Sequence, residues 1–510
     1  MRGPHNLWRL IRTGATLERT GAMKVVLDAY DAPPLLRMAA RVAGWPFQWL
    51  GLKGDPSMPP ATRALTALGP AYIKFGQILS TRPDLVGDDL ALQLRVLQDR
   101  LPPFSVEQAK ATVEAELDLP VSSVFSEFSE PVAAASIAQV HRARLNETGE
   151  EVAVKVLRPG IDRAFRKDID AFYLAASIIE FLSPASRRLR PSDVVAHFDG
   201  VVQGELDLRL EAASASTFQS NTEGDDGFGL PSVKWPQSGR RIMTMSWVEG
   251  TPLGDNAALD AAGHDRSDLG ARVLTLFLNH ALRDGYFHAD MHQGNLKVAP
   301  DGRIIAYDFG IMGHIDEYTR RVYAEILYGF IKRDYMRVAM VHFEAGYVPA
   351  DQDVDEFARA LRAVGEPIFG MDATKISMGR LLSYLFDVTE RFGMETRTEL
   401  ILLQRTMVVV EGVARSLSPQ LNIWEVARPV VEAYIRRNLG PRAFARDLGK
   451  TAEVLARFGP RLPHLVQNAL VQQMTSMETN RRKAERRPYV WLISGAILGA
   501  AAAGVVSALL

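Results

Sequence analysis

A lysine, two aspartates, an asparagine and a glutamate follow one another along this chain in an order that suits phosphate and metal chemistry. Lys155 lies in the run Val152-Ala153-Val154-Lys155-Val156, whose apolar alternation predicts a strand with the lysine projecting to one side. His288-Ala289-Asp290 precedes Asn295 by a short loop, Asp290 and Asn295 being five positions apart, and Asp308-Phe309-Gly310 begins 18 positions after Asp290. Transfer or hydrolysis of a γ-phosphoryl group needs those residue types together: a lysine on the phosphates, carboxylate and amide oxygens on magnesium, and a carboxylate beside the attacking group. Each motif is weak alone, so the weight falls on their joint order.

That order is the one found in kinase-like nucleotide sites. The acidic stretch Glu205 to Glu211 supplies a partner for Lys155, Glu211 in preference to the alternative Glu205, with Asp207 four residues before Glu211 on the same helical face. The interval from Lys155 to Glu211 exceeds that of ordinary kinases, which predicts inserted helices over residues 161–200. Ala133, Ala135, Ala138 and Val140 fall on a G-x-G-x-x-G-x-V pattern, with alanine at every glycine position. Each added methyl hinders close approach of backbone to phosphate, so ordinary protein-kinase activity is not expected. The same Ala-rich run also reads as a helix start or a small-residue packing face. Met245 to Glu249, including Val248, is the expected hinge for an adenine ring, and residues 222–229 read as a connecting loop. The His288-Ala289-Asp290-Met291-His292 run has a rival reading as a zinc or iron cluster. That reading leaves Asn295, Asp308 and Lys155 unexplained, so His288 is expected to orient the loop and His292 to be a polar loop residue.

These residues sit within longer motifs that resemble the UbiB family of atypical kinases, associated with ubiquinone biosynthesis. A K-x-G-Q motif appears at Lys74 to Gln77 and runs on to Arg82-Pro83-Asp84; the Ala-rich AAASIAQVHRA and the E-x-D triplet Glu205-Leu206-Asp207 follow. The family's FHADPHPGN reads FHADMHQGN at Phe287 to Asn295, with Met291 and Gln293 in place of two prolines, which predicts a less rigid loop. The resemblance covers roughly residues 60–440. It implies an extension that occludes the nucleotide pocket, with Lys74 and Gln77 restraining phosphoryl transfer to proteins and Glu205 and Asp207 holding the extension in place. A solvated polar stripe is the commoner explanation of an isolated lysine and glutamine, and the flanking Phe75, Gly76 and Arg82-Pro83-Asp84 argue against it here.

The elements that must position these residues read as an α+β, bilobal protein-kinase-like fold with an N-terminal helical extension and a C-terminal transmembrane helix. The expected division is an extension over 1–110, an N-lobe with a helical insertion over 111–245, a C-lobe over 246–440, a basic helical segment over 441–488 and an anchor over 489–510. Residues 322–331 and 400–413 carry apolar residues at helical spacing, and no Ala-Pro-Glu segment for protein substrates follows Asp308.

With 510 residues and 47% hydrophobic content the chain can bury large cores. Its net charge of -1 offers no electrostatic reason to expect nucleic acid, and the absence of cysteine excludes disulfides, thiol catalysis and cysteine-held clusters. The start lacks a secretory signal. Leu7, Trp8, Leu10 and Ile11 alternate with Arg9 and Arg12, which suits either a membrane-surface helix or a helix packed on its own lobe. The 22 uncharged residues Tyr489 to Leu510 would make a helix of about 33 Å, matching a bilayer core. The cluster Arg481, Arg482, Lys483, Arg486 and Arg487 before it predicts an inner-membrane protein whose catalytic body faces the cytoplasm. Gly495 and Gly499 form a step on which the helix of a second copy could pack, giving a homodimer.

The expected activity is that of a membrane-anchored ATPase or atypical kinase using ATP and Mg2+, with Lys155 on the phosphates, Asn295 and Asp308 on the metal, and Asp290 at the attacking group. The resemblance implies membrane lipids, polyprenylphenol quinone precursors and other ubiquinone-biosynthesis proteins as partners. Two alternatives stand beside it: a kinase for a small-molecule or protein acceptor, and a nucleotide-gated scaffold without turnover.

Overall fold

In chain order the strands are β1 (Phe125–Ala134), β2 (Ala138–Leu145), β3 (Glu151–Leu157), β4 (Phe228–Gly229), β5 (Ile242–Ser246), β6 (Thr251–Pro252), β7 (Tyr286–His288), β8 (Leu296–Val298), β9 (Ile304–Ala306) and β10 (Met312–His314). The first sheet is antiparallel with order β1-β2-β3-β5. Alternation decides its faces: Val152, Val154 and Val156 of β3 are fully buried on one side, while Ala153 and Lys155 take the other. The valines pack with Ala109 and Val113 of the helix Val106–Leu117 and with Phe104 and Phe125. That helix starts at Ser105, whose hydroxyl accepts the Gln108 N–H.

This is a computed structural model, and it describes residues 4–29, 38, 45–80, 86–94, 103–135, 137–182, 190–370, 388, 391–394 and 398–438. Helices Ile161–Leu182 and Pro191–Glu205 occupy the stretch between β3 and the helix Leu208–Asn221, where an insertion is expected from the spacing. Beyond β10 the described chain is helical: Glu317–Lys332, Tyr335–Glu344, Val354–Gly370, Thr398–Leu417 and Ile423–Asn438. One large core holds Phe165, Phe198, Phe218, Phe277 and Phe287 together, and so joins the inserted helices to the helical lobe. The chain divides into Met1–Val431 and Glu432–Leu510; of the second unit only the end of Ile423–Asn438 is described.

Two short antiparallel pairs carry the motif loops. β7 pairs with β10, setting His288 opposite Met312, and β8 pairs with β9, setting Leu296 opposite Ala306. Asp290 and Asn295 therefore sit between β7 and β8, and Asp308 between β9 and β10, so adjacent ladders bring both loops to one place.

The expectation of a C-terminal transmembrane helix requires correction. Among the described residues no helix is long and apolar enough to cross a membrane. The 22-residue helix Ile161–Leu182 has the length, but Asp162, Arg163, Arg166, Lys167, Asp168 and Asp170 interrupt its apolar face, which is spent on the protein core. The architecture of the described residues is kinase-like α+β with no spanning helix among them, and the inner-membrane placement inferred from that helix is not supported. Residues 489–510, the basic cluster over 481–487 and the Gly495–Gly499 step lie outside the described residues, as does Arg82-Pro83-Asp84.

Candidate functional site

Lys155 faces away from the valine core, and its neighbours across the ladder are Val140 on β2 and Met243 on β5. The helix Leu208–Asn221 buries Leu208, Ala212, Ala215 and Phe218, which presents Glu211 to the sheet. The Lys155 Nζ lies 2.6 Å from Glu211 Oε1 and 3.4 Å from Asp308 Oδ2. Burial by itself would push the lysine toward neutrality, but the carboxylates of Asp308 and Glu211 outweigh it and raise its pKa. Burial also opposes ionisation of Asp308, yet the Lys155 ammonium and the Gly310 N–H hold its pKa down at about 2. Glu211 shifts upward, because burial prevails over the attraction of Lys155. Asp308 is the open member of the trio, with its side chain 42% exposed against 16% for Lys155 and 10% for Glu211.

His288 links the two loops. Its Nδ1 accepts the Asp290 N–H at 3.1 Å, and its Nε2 lies 2.5 Å from the Asp308 carbonyl oxygen. That pattern assigns the neutral tautomer with the proton on Nε2, and burial keeps the ring's pKa low in agreement. Both ring nitrogens are committed, which removes His288 as a metal ligand. Among the described residues no group of three or more His, Asp or Glu side chains is placed to hold a metal ion, so the zinc or iron reading has no geometric support.

Asn295 directs its Nδ2 at the Asp290 carbonyl oxygen at 3.0 Å and at Oδ2 at 3.4 Å. Its Oδ1 is left as an acceptor. One carboxylate with one amide oxygen is a donor set that fits magnesium, which takes few protein ligands and completes its shell with water and substrate phosphate. The loop between Asp290 and Asn295 is firmly held where prolines are replaced. Met291 is buried, His292 Nδ1 accepts the Gly294 N–H at 2.9 Å, and Gln293 Nε2 donates to Ser416 Oγ. His292 also stands 3.6 Å from Asp290 Oδ2.

The Ala-rich run is a β-hairpin and not a helix start, and of its alanines Ala138 packs into the large core. Ala133 pairs with Val140 across the β1–β2 hairpin, and the Ala135 N–H donates to the Ala138 carbonyl at 2.8 Å. Ala138 is buried, Ala135 and Val140 are half-buried, and Ala133 is exposed. At the hinge, Met245 is buried in β5 opposite Ala153. The half-buried Val248 offers its carbonyl to Lys297 Nζ at 3.2 Å. Gly250 follows at φ +147°, and a Cβ there would stand 2.5 Å from the Val298 carbonyl oxygen. Gly250→Ala is therefore expected to cost about 1–3 kcal/mol. Urea unfolding of the variant measures this, and an unchanged midpoint would contradict it.

Lys74 and Gln77 lie on the helix Pro70–Ser80, and Lys74 Nζ meets Glu205 Oε1 at 2.5 Å. Phe75 packs against Phe172 and Phe198 with ring centroids 5.2 Å apart in each case, which fixes this helix on the insertion. Gln77 is half-buried, and its carbonyl accepts the Ser80 hydroxyl at 2.6 Å. Asp207 caps the helix Leu208–Asn221 and forks onto Arg209 at 2.8 and 2.6 Å, so it does not share a helical face with Glu211.

Several positioning contacts have no sequence signal. Thr406 Oγ1 donates to the Ala289 carbonyl at 3.1 Å, holding the Asp290 loop from a helix more than a hundred residues on. Within the stretch read as a plain connecting loop, Asp225 takes Arg283 at 2.6 Å and His280 at 3.1 Å.

Comparison with known proteins adds to this geometry. Residues 96–342 match the ABC1 atypical kinase-like domain, and residues 361–422 match the UbiB helical domain. A "Probable protein kinase UbiB" of Azotobacter vinelandii is 40% identical over 515 residues, covering 98% of this chain and 93% of that protein. One from Marinobacter nauticus is 40% identical over 86% of this chain and 84% of its own, and one from Xanthomonas euvesicatoria 41% over 89% and 86%. Among solved structures, the complex of Rv3197 with erythromycin from Mycobacterium tuberculosis superimposes with a TM-score of 0.51 at 24% identity, over 71% of this chain and 92% of that one, a likeness of fold.

Proposed function

This chain belongs to the UbiB family of ABC1 atypical kinases, and from that premise we propose that it uses Mg-ATP in ATP-coupled handling of polyprenylphenol intermediates, in support of ubiquinone biosynthesis. The observation that carries the nucleotide part is the Lys155 ammonium shared between Glu211 and Asp308. On this reading Glu211 holds the lysine charged and aimed at the phosphates, across from the Ala133–Val140 hairpin. Magnesium, held by Asp308 and Asn295, would supply charge neutralisation at the phosphate oxygens. Asp290 orients the attacking hydroxyl or water and takes its proton at the carboxylate, while His288 and Asn295 fix that loop. The hinge from Met245 to Val248 takes the base.

The Lys74–Glu205 pair, seated at the junction between the insertion and the Glu211 helix, supports a role for the extension in restraining transfer to proteins. Lipids, polyprenylphenol precursors and other ubiquinone-biosynthesis proteins are the partners this reading requires. Phosphate release from Mg-ATP by the purified chain, with and without a short polyprenylphenol mimic and beside Asp308→Asn, tests it. Turnover that rises with the phenol and disappears in the variant is the expected result. Nucleotide binding with no turnover in any condition would defeat it and leave a gated scaffold, and normal quinone content in a deletion strain would remove the pathway.

A further inference from the structure

A cleft of about 900 Å³ lies between the N-terminal helix Pro4–Thr20, the Lys74 helix and the inserted helix Ile161–Leu182, and none of the nucleotide-site residues lines it. Its size is that of a small-molecule pocket. Helical spacing sorts its walls. Asn6, Arg9 and Thr13 recur at i, i+3 and i+7 and face inward: Arg9 pairs with Asp168, and Thr13 Oγ1 meets the Tyr72 hydroxyl at 2.7 Å. Asn6 is 8% exposed and lines the cleft. Its amide can donate to a molecule held in the cleft.

The neighbouring stripe carries Trp8 and Arg12, one turn apart on the rim, with Trp8 52% exposed. Lys167 stands on the opposing wall. Arg9 pairs with Asp168, so the cleft's charged lining of Arg9, Arg12 and Lys167 against Asp168 and Asp170 leaves a surplus of positive charge. Arg12 and Lys167, both exposed, are cations on two different helices of the cleft, beside an indole.

We infer that this cleft binds a small aromatic anion, with its ring against Trp8, its carboxylate, sulfonate or phosphate between Arg12 and Lys167, and Asn6 donating to it. The site stands independently of ATP turnover, so its test reads binding alone.

The probe is 1-naphthyl phosphate, titrated calorimetrically into the full chain with Mg-ADP present throughout to occupy the nucleotide pocket. Binding is expected, and Arg12→Glu, Lys167→Glu and Asn6→Ala should each raise the dissociation constant roughly tenfold or more, as loss of a hydrogen bond to a charged group does. Inorganic phosphate and 1-naphthalenemethanol should each bind at least roughly tenfold more weakly, since each offers half of the recognised chemistry. Thermal midpoints matching the parent establish that the variants are folded. No detectable binding of naphthyl phosphate would overturn the inference, as would unchanged binding in folded Arg12→Glu and Lys167→Glu. Inorganic phosphate binding as tightly as the ester would reduce the cleft to a plain anion site and overturn its aromatic half.

Discussion

Lys155→Met is expected to lower ATP turnover by roughly 10²–10³-fold, the usual cost of removing one preorganised charge from a developing phosphate oxyanion. The same change strikes the fold, because Lys155 is the cation beside Glu211 and Asp308. Breaking one side of a buried pair costs about 3–5 kcal/mol, since the remaining charge stays desolvated. Asp308 can turn to solvent, but Glu211 cannot, with its side chain only 10% exposed. Glu211 in the variant then takes up a proton. Its folded-state pKa, already raised by burial in the parent, rises further once the lysine is gone. A group with a raised folded pKa contributes stability that is fully present below its unfolded value and is lost as pH rises through the folded one. The variant should accordingly be more stable near pH 4.5 than near pH 8 relative to the parent. The parent's Asp308 behaves oppositely: its contribution is present above the ordinary carboxylate value and is lost as pH falls from there toward about 2. Denaturant midpoints across pH check both signs. The double replacement Lys155→Met with Glu211→Leu separates structure from chemistry, because replacing both partners by apolar groups is often neutral for stability. It should recover the midpoint and leave turnover lost. Parent-like turnover in Lys155→Met would end the assignment of this lysine to phosphate binding.

What was legible in the sequence follows from how local each determinant is. Lys155 could be placed on one face of a strand because its neighbours alternate, and the structure buries Val154 and Val156 on the other face. The insertion before Glu211 could be counted from spacing alone. The Ala133–Val140 run stayed ambiguous because alanine suits a helix as well as a strand end. Only pairing with the partner strand, Ala133 opposite Val140, decides for a hairpin. Two replaced prolines suggested a looser Asp290 loop, yet Ser416, Thr406 and the buried Met291 hold it from outside, contacts no local pattern encodes. Asp207 was placed on the Glu211 face by periodicity, which presumes both are inside one helix. Asp207 is instead the cap, where the helical repeat has not begun. The membrane helix was read from a run of uncharged residues, a property of composition. Among the described residues no helix is long and apolar enough to cross a membrane.

Asp290→Asn should leave nucleotide affinity within about twofold and lower turnover by roughly 10²–10⁴-fold, the range for loss of a general base. Retained binding is expected because the loop does not depend on the carboxylate. The Asp290 N–H is held by His288 Nδ1, and its carbonyl by Asn295 Nδ2. Asparagine keeps the shape and an oxygen to accept from Asn295, and loses the charge and the basicity. Folding should therefore be preserved, and the defect should lie in proton transfer. His292, 3.6 Å from Asp290 Oδ2, is too exposed at 50% to replace it as an oriented base. Single-turnover phosphate release, read beside calorimetric binding of ADP and an ATP analogue, makes the comparison. The result separates an enzyme from a gated scaffold: a scaffold needs bound nucleotide and no base, so its biological activity would survive this substitution. An enzyme loses both turnover and complementation of a deletion strain while still binding nucleotide, because the carboxylate acts only once the attacking group is in place.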